Sequence, residues 1–271
     1  MTTDIPALAA AALIDYLADF DILLLILARL VACFLVLPML AGNSIPVMAR
    51  VMFAFCLSVL VHSTGAIGVV AYEPNMIGYF TLVFNEIAAG ILMGFLVYLA
   101  FAIIYLAGQI MDHQIGFAMV NILDPLSSTQ VPVIGTLLYF LMMALFVASG
   151  GFNYVIFVVS TSFEIANVGQ VFLLGNYNLL VYCIGIFANF MVLAVQFSMP
   201  IAGAMFVINV MLGVLVKSAP QMNVFVIGMP LKLFLGMLLL WTLIPMFNTY
   251  YNTLFEFGYD TLRVAIVGLV R

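Results

Sequence analysis

Charge is the scarcest commodity in this chain: 6% of its 271 residues are Asp, Glu, Lys or Arg, where a soluble domain carries roughly a quarter. The shortage removes an ordinary water-facing surface. Six Lys and Arg stand against eleven Asp and Glu, for a net charge of −5. They are scattered singly, so no basic patch forms and nucleic acid is excluded as a partner. Three cysteines, Cys33, Cys56 and Cys183, lie far apart inside apolar runs, with no CxxC spacing. They read as small buried hydrophobes. The two histidines, His62 and His113, are too few for a metal cage. HExxH, GxSxG and a paired-aspartate motif are all missing. Neither an enzyme nor a bound metal or cofactor is expected. The first residues lack the positive flank and small-residue cleavage site of a signal peptide. With Asp15, Asp19 and Asp21 behind them, they are expected to form a short amphipathic helix or arm.

What fills the chain is apolar sequence, 67% hydrophobic with a mean hydropathy of +1.33. Uninterrupted runs near 20 residues match a bilayer-spanning helix. A spanning β-barrel would alternate instead. The expected fold is an all-α helical membrane protein, a single domain over 1–271 with about six hydrophobic segments. The runs are 22–40, 47–70, 76–106, 131–148 with a short partner at 154–163, 179–216 and 223–247. A milder amphipathic piece covers 252–270. Two runs are oversized. Met76 to Leu106 is too long for a simple crossing, and Leu179 to Val216 carries Pro200 and Gly203, which predict a kink or tight hairpin.

Polar groups in such a background cost several kcal/mol each unless partnered, which draws attention to Gly108-Gln109-Ile110-Met111-Asp112-His113-Gln114-Ile115-Gly116-Phe117. As a helix, it puts Gly108, Asp112 and Gly116 on one face, with Gln109 and His113 beside them. Small residues at that spacing admit a second backbone. The strip fits an aqueous path, a polar docking face or a plain connector between two spans. Asp112 and His113 also admit a proton relay, without any catalytic signature. Asp124-Pro125 then reads as a helix start, Asp as N-cap and Pro at N1. Arg29 and Glu86 interrupt other runs. They are either a structural pair or, with Asp112, the coupled charges of an ion or small-molecule transporter. Transporters tend to carry internal repeats, and none is visible. Eighteen Met and twenty-four Phe suit deformable surfaces or simple core filling.

Two phrases carry a family resemblance. One is Gly108-Gln109 with Gln114-Ile115-Gly116, leading into Asp124-Pro125 and Val131-Pro132. The other is the run from Ala219 through Pro220, Gln221, Met222 and Asn223 to Gly228, Met229 and Pro230. Together they resemble the FliR family of flagellar type III export-gate proteins, whose virulence-secretion counterpart is SctT. Where that family has Asn-Gly-His, this chain has Gly150-Gly151-Phe152-Asn153. The resemblance implies a non-enzymatic channel component, a fusion of FliP- and FliQ-like parts built of bent helical hairpins. It also implies FliP- and FliQ-like partners, FlhA- and FlhB-like neighbours, unfolded flagellar subunits as substrates, and surrounding lipid. The expected location is the inner (cytoplasmic) membrane, at the flagellar basal body. In that setting, residues 116–128 are the gate's plug, formed by Gly116, Phe117, Met119, Ile122, Asp124 and Pro125, with Phe117, Met119 and Ile122 toward the lumen. Gln109, Asp112 and Gln114 form an interface strip. Pro220, Gln221, Asn223, Gly228 and Pro230 form a second motif.

Overall fold

The computed structural model describes residues 5–41, 45–63, 76–117, 131–168, 177–219, 221 and 223–270. Among them the backbone forms eight helices: α1 (Ile5–Val36), α2 (Pro38–Ala41), α3 (Val47–Ser63), α4 (Met76–Ile115), α5 (Val133–Ala148), α6 (Gly151–Ile165), α7 (Tyr177–Ser218) and α8 (Val224–Val270). Three of them are long and apolar enough to cross a membrane, or four spans if α5 and α6, broken at Ser149-Gly150, count as one. This is an all-α membrane protein.

The sequence runs and the helices differ in instructive ways. The N-terminal arm is not separate, since α1 continues from Ile5 into the first apolar run. Pro200 lies inside α7 without making a hairpin there, and Pro230 and Pro245 lie inside α8. Each proline removes one backbone hydrogen bond, a loss that a long membrane helix tolerates where neighbouring groups satisfy the freed carbonyl. Residues 248–251, which separate two hydropathy runs, are continuous helix.

The helices distribute into two compact units, residues 1–98 with 152–183 and 260–271, and residues 99–151 with 184–259. In the first, α1 and α4 lie side by side with their numbering rising together. The Tyr79 hydroxyl donates to the Asp21 carbonyl at 3.4 Å. Further along, a Cβ on Gly90 would stand 2.2 Å from the Arg29 carbonyl oxygen, and one on Gly94 would stand 2.6 Å from that of Cys33. Phe34 of α1 meets Phe53 of α3 at 5.4 Å.

In the second unit, α4 and α5 run antiparallel, with Tyr105 against Tyr139 at 6.5 Å and Phe101 against Phe146 at 5.4 Å. α7 and α8 also pair antiparallel. Phe190 meets Phe257 at 5.2 Å and Phe197 meets Phe247 at 5.8 Å, while the Tyr250 hydroxyl donates to the Leu193 carbonyl. Hydroxyls of Ser149 and Tyr251 tie α5 to α8. Phe101, Phe146, Phe190 and Phe247 are buried, holding the helices together by close packing. Outside this core, Phe206, Met211, Phe234 and Trp241 are exposed, Trp241 at 77%. Apolar surface on that scale needs lipid or protein against it.

Candidate functional site

The last two turns of α4 organise the second unit's polar chemistry. Asp112 is buried, and its carboxylate accepts the N–H of Ile134 at 3.0 and 3.1 Å and that of Gly135 at 3.3 Å. Those are among the first N–H groups of α5, which an α-helix leaves without intrahelical partners. The residue at the N-cap position is Pro132, which makes no side-chain cap bond. Asp112 therefore caps a helix other than its own, and its negative charge faces the positive end of that helix's dipole. One turn earlier, a Cβ on Gly108 would lie 2.3 Å from the Cα of Gly135. The close backbone approach read from the spacing is present, and it brings the carboxylate within reach of α5.

Asp112 also holds the other flank. Its backbone carbonyl accepts the N–H groups of Gly116 at 3.0 Å and Phe117 at 3.1 Å. Gly116 adopts φ +101°, a left-handed conformation, in otherwise open space. The backbone, not crowding, is what asks for glycine there. One residue thus grips the chain where it leaves α4 and where it enters α5.

A cleft of about 460 Å³ opens beside this point. His113 and Gln114 of α4 and Gly116 just beyond it face it, with Asn209 and Gly213 of α7 and Gly228 and Lys232 of α8. The two phrases picked out in the sequence therefore meet, Gln114-Ile115-Gly116 from one and Gly228-Met229 from the other. Gly236 supports the meeting, since a Cβ there would lie 2.6 Å from the Ile115 side chain. Phe117 and Gln109 are half-buried, Gln221 and Pro230 exposed. Asn223 opens α8, its carbonyl accepting from Val226 at 3.1 Å and Ile227 at 3.3 Å. Met119, Ile122, Asp124, Pro125 and Pro220 lie outside the described residues, as does the helix start read at Asp124-Pro125.

In the first unit, Arg29 and Glu86 are both 1% exposed and joined at 2.6 Å through Nε–Oε2 and 3.1 Å through Nη2–Oε1. The guanidinium also donates to Ser162 Oγ at 3.2 Å and to the Ser162 and Ala166 carbonyls at 3.3–3.5 Å. Its carbon stacks 4.2 Å over the Phe163 ring. Bidentate pairing, added acceptors and an aromatic face are what a buried arginine requires. The pairing of Arg29 with Glu86 read from the sequence is present. Sequence reasoning missed Gly90 and Gly94, and the signal was available, because they follow Glu86 at intervals of four. It also missed Ser162 and Lys232. Among the described residues, no group of three or more His, Cys, Asp or Glu is placed to hold a metal.

Known proteins place this arrangement in context. The profile described as "Bacterial export proteins, family 1" matches residues 20–258. The chain is similar to the "Flagellar biosynthetic protein FliR" of Bacillus subtilis, with 27% identity over 92% of this chain and 97% of the relative. It is similar to the Escherichia coli protein of the same name at 29%, over 90% and 92%. The "Yop proteins translocation protein T" of Yersinia pestis is 29% identical over 80% of this chain and 83% of its own length.

Proposed function

Because this chain belongs to family 1 of the bacterial export proteins, we propose that it is a membrane-embedded subunit of the flagellar type III export gate. The observation that carries the reading is end-to-end similarity to flagellar relatives, which spans 97% of one of them. Coverage of flagellar relatives reaches 97% and 92% of their length, above the 83% of the Yop translocation relative, and the flagellar assignment is preferred to the SctT-like one. In this role the protein conducts other proteins and transforms nothing. It assembles with FliP- and FliQ-like subunits in the inner membrane, beside FlhA- and FlhB-like proteins, around a path for unfolded flagellar subunits.

The segment between Gly116 and Ser128 is the plug. Its support is the double grip of Asp112 on Phe117 at one flank and on Ile134 and Gly135 at the other. A gate must stop ions and still pass a chain. Flexible apolar groups such as Phe117, Met119 and Ile122 seal by packing and dewetting, and yield when a polypeptide pushes through. Gln109 and Gln114 flank the same helix end as an interface strip. Gly228 and Met229 of the second motif supply the facing wall.

Two measurements test this. Affinity purification of the full chain from the membrane is expected to bring FliP- and FliQ-like subunits with it, and recovery of a lone chain or homodimer overturns the gate reading in favour of a transporter. Deletion of 116–128 is expected to make cells leak small ions while flagellar export continues. Unchanged permeability overturns the plug.

A further inference from the structure

The cleft where α4, α7 and α8 meet has a chemistry that gating does not use. None of its lining residues is acidic, yet Lys232 contributes to it, and Lys232 makes no ion pair among the described residues. Asn209 lines the same space with its Oδ1 buried and without a hydrogen-bond partner. A cation without a counter-ion and a buried acceptor without a donor are each costly in apolar surroundings. Leu212, Val216 and Met229 supply apolar wall beside them.

Position adds a second argument. Gly116 follows the end of α4, Val216 stands two residues before the end of α7 at Ser218, and Lys232 is eight positions into α8. Three helix ends therefore border the cleft. Lysine in a helix leans toward the helix N-terminus and extends its ammonium outward along its stem, here toward that same end. α4, α7 and α8 are also the three helices long and apolar enough to cross a membrane, which puts a cleft among them within reach of lipid.

We propose that this cleft binds one glycerophospholipid whose headgroup carries both a phosphodiester and a hydrogen-bond donor. The phosphodiester pairs with Lys232, the donor satisfies Asn209 Oδ1, and an acyl chain follows Leu212, Val216 and Met229. The shared chemistry admits phosphatidylglycerol, with its hydroxyls, and phosphatidylethanolamine, with its ammonium. Phosphatidylcholine has the phosphate but no donor. Glycerol 3-phosphate has the phosphate but no chains.

The test is native mass spectrometry of the full chain in detergent, with each of these four compounds titrated in turn. The wild type is expected to retain one phosphatidylglycerol or phosphatidylethanolamine about tenfold more strongly than phosphatidylcholine, the scale of one charge-assisted contact, and no glycerol 3-phosphate. Asn209→Leu is expected to lose that tenfold advantage, while Lys232→Gln is expected to weaken retention of all three phospholipids about tenfold and Lys232→Arg to keep it. Gly213→Met offers a variant that leaves the helix packing alone. Nothing lies within 4 Å of a Cβ at Gly213, so the new side chain occupies the cleft and is expected to abolish retention. Equal retention of all three phospholipids by the wild type overturns the proposal, as does wild-type retention by both Lys232→Gln and Gly213→Met. Retention of glycerol 3-phosphate at the level of the lipids also overturns it, in favour of a simple anion site.

Discussion

Helix α4 carries the same device twice, and the two copies are used differently. Glu86, Gly90 and Gly94 follow one another at intervals of four, as do Gly108, Asp112 and Gly116. In each, a glycine brings a second helix to backbone contact and the acid is buried beside it. The partner differs. Glu86 meets the full charge of Arg29, which in turn is held by Ser162, Ala166 and Phe163. Asp112 meets only backbone N–H groups and the start of a helix. A closed ion pair commits both members, because removing either leaves the other buried and unpaired. A carboxylate on a helix terminus is an exchangeable contact, since water can replace it once the helix end is exposed. The lesson is that one spacing pattern serves as a permanent rivet in one unit and as a separable clasp in the other.

Breaking the rivet is expected to have the largest effect. Arg29→Met leaves Glu86 without its cation and is expected to cost about 3–5 kcal/mol, seen as loss of protein from the membrane. The double variant Arg29→Met with Glu86→Leu is expected to recover much of that loss, and failure to recover contradicts a purely structural pair. Next comes Gly108→Ala, which drives a methyl into the Gly135 backbone. An expected cost of about 1–3 kcal/mol is checked by thermal unfolding in detergent. Asp112→Ala removes the cap and is expected to cost about 1–2 kcal/mol, with Asp112→Asn keeping part of it through the remaining carbonyl oxygen. If Asp112→Ala assembles, exports and seals as the wild type does, the clasp has no role in the gate. Smallest is Ser162→Ala, which takes one hydrogen bond from Arg29 and is expected to cost about 0.5–1.5 kcal/mol. A double-mutant cycle of Ser162→Ala with Arg29→Met should then show coupling, because the two groups touch.

Much of this was legible in the residues, and the failures have physical reasons. Length and hydropathy identify α4 and α7 as oversized, and four-residue spacing identifies the close approach at Gly108. The Arg29–Glu86 pair is readable as one of two alternatives because few charges exist to choose from. The capping role of Asp112 was not readable, since its donors are backbone N–H groups that leave no trace in side-chain identity. Of the kink or hairpin expected at Pro200, the hairpin is absent because the helix runs on to Ser218, and the half before the proline packs on α8 through Phe197 with Phe247 and Leu193 with Tyr250. The apparent break near residue 250 came from polar residues whose hydroxyls are engaged: Tyr250 on Leu193, Tyr251 on Ser149 and Thr253 on Thr249. Lys232 was passed over because a lone lysine in an apolar helix says nothing until three helices gather around it.

The double grip of Asp112 has a consequence for how such a gate can vary. Phe117 and Ile134 are both bonded to one residue, so the connection between them starts and finishes at a fixed mouth. The entropy of closing a loop at a fixed mouth grows only logarithmically with its length, about 0.6 kcal/mol for each doubling. Insertions or deletions in that connection therefore leave the helices around it almost indifferent. On the plug reading proposed above, the length and bulk of that connection become freely adjustable traits, able to follow the girth of whatever cargo a given cell exports while the surrounding scaffold stays the same.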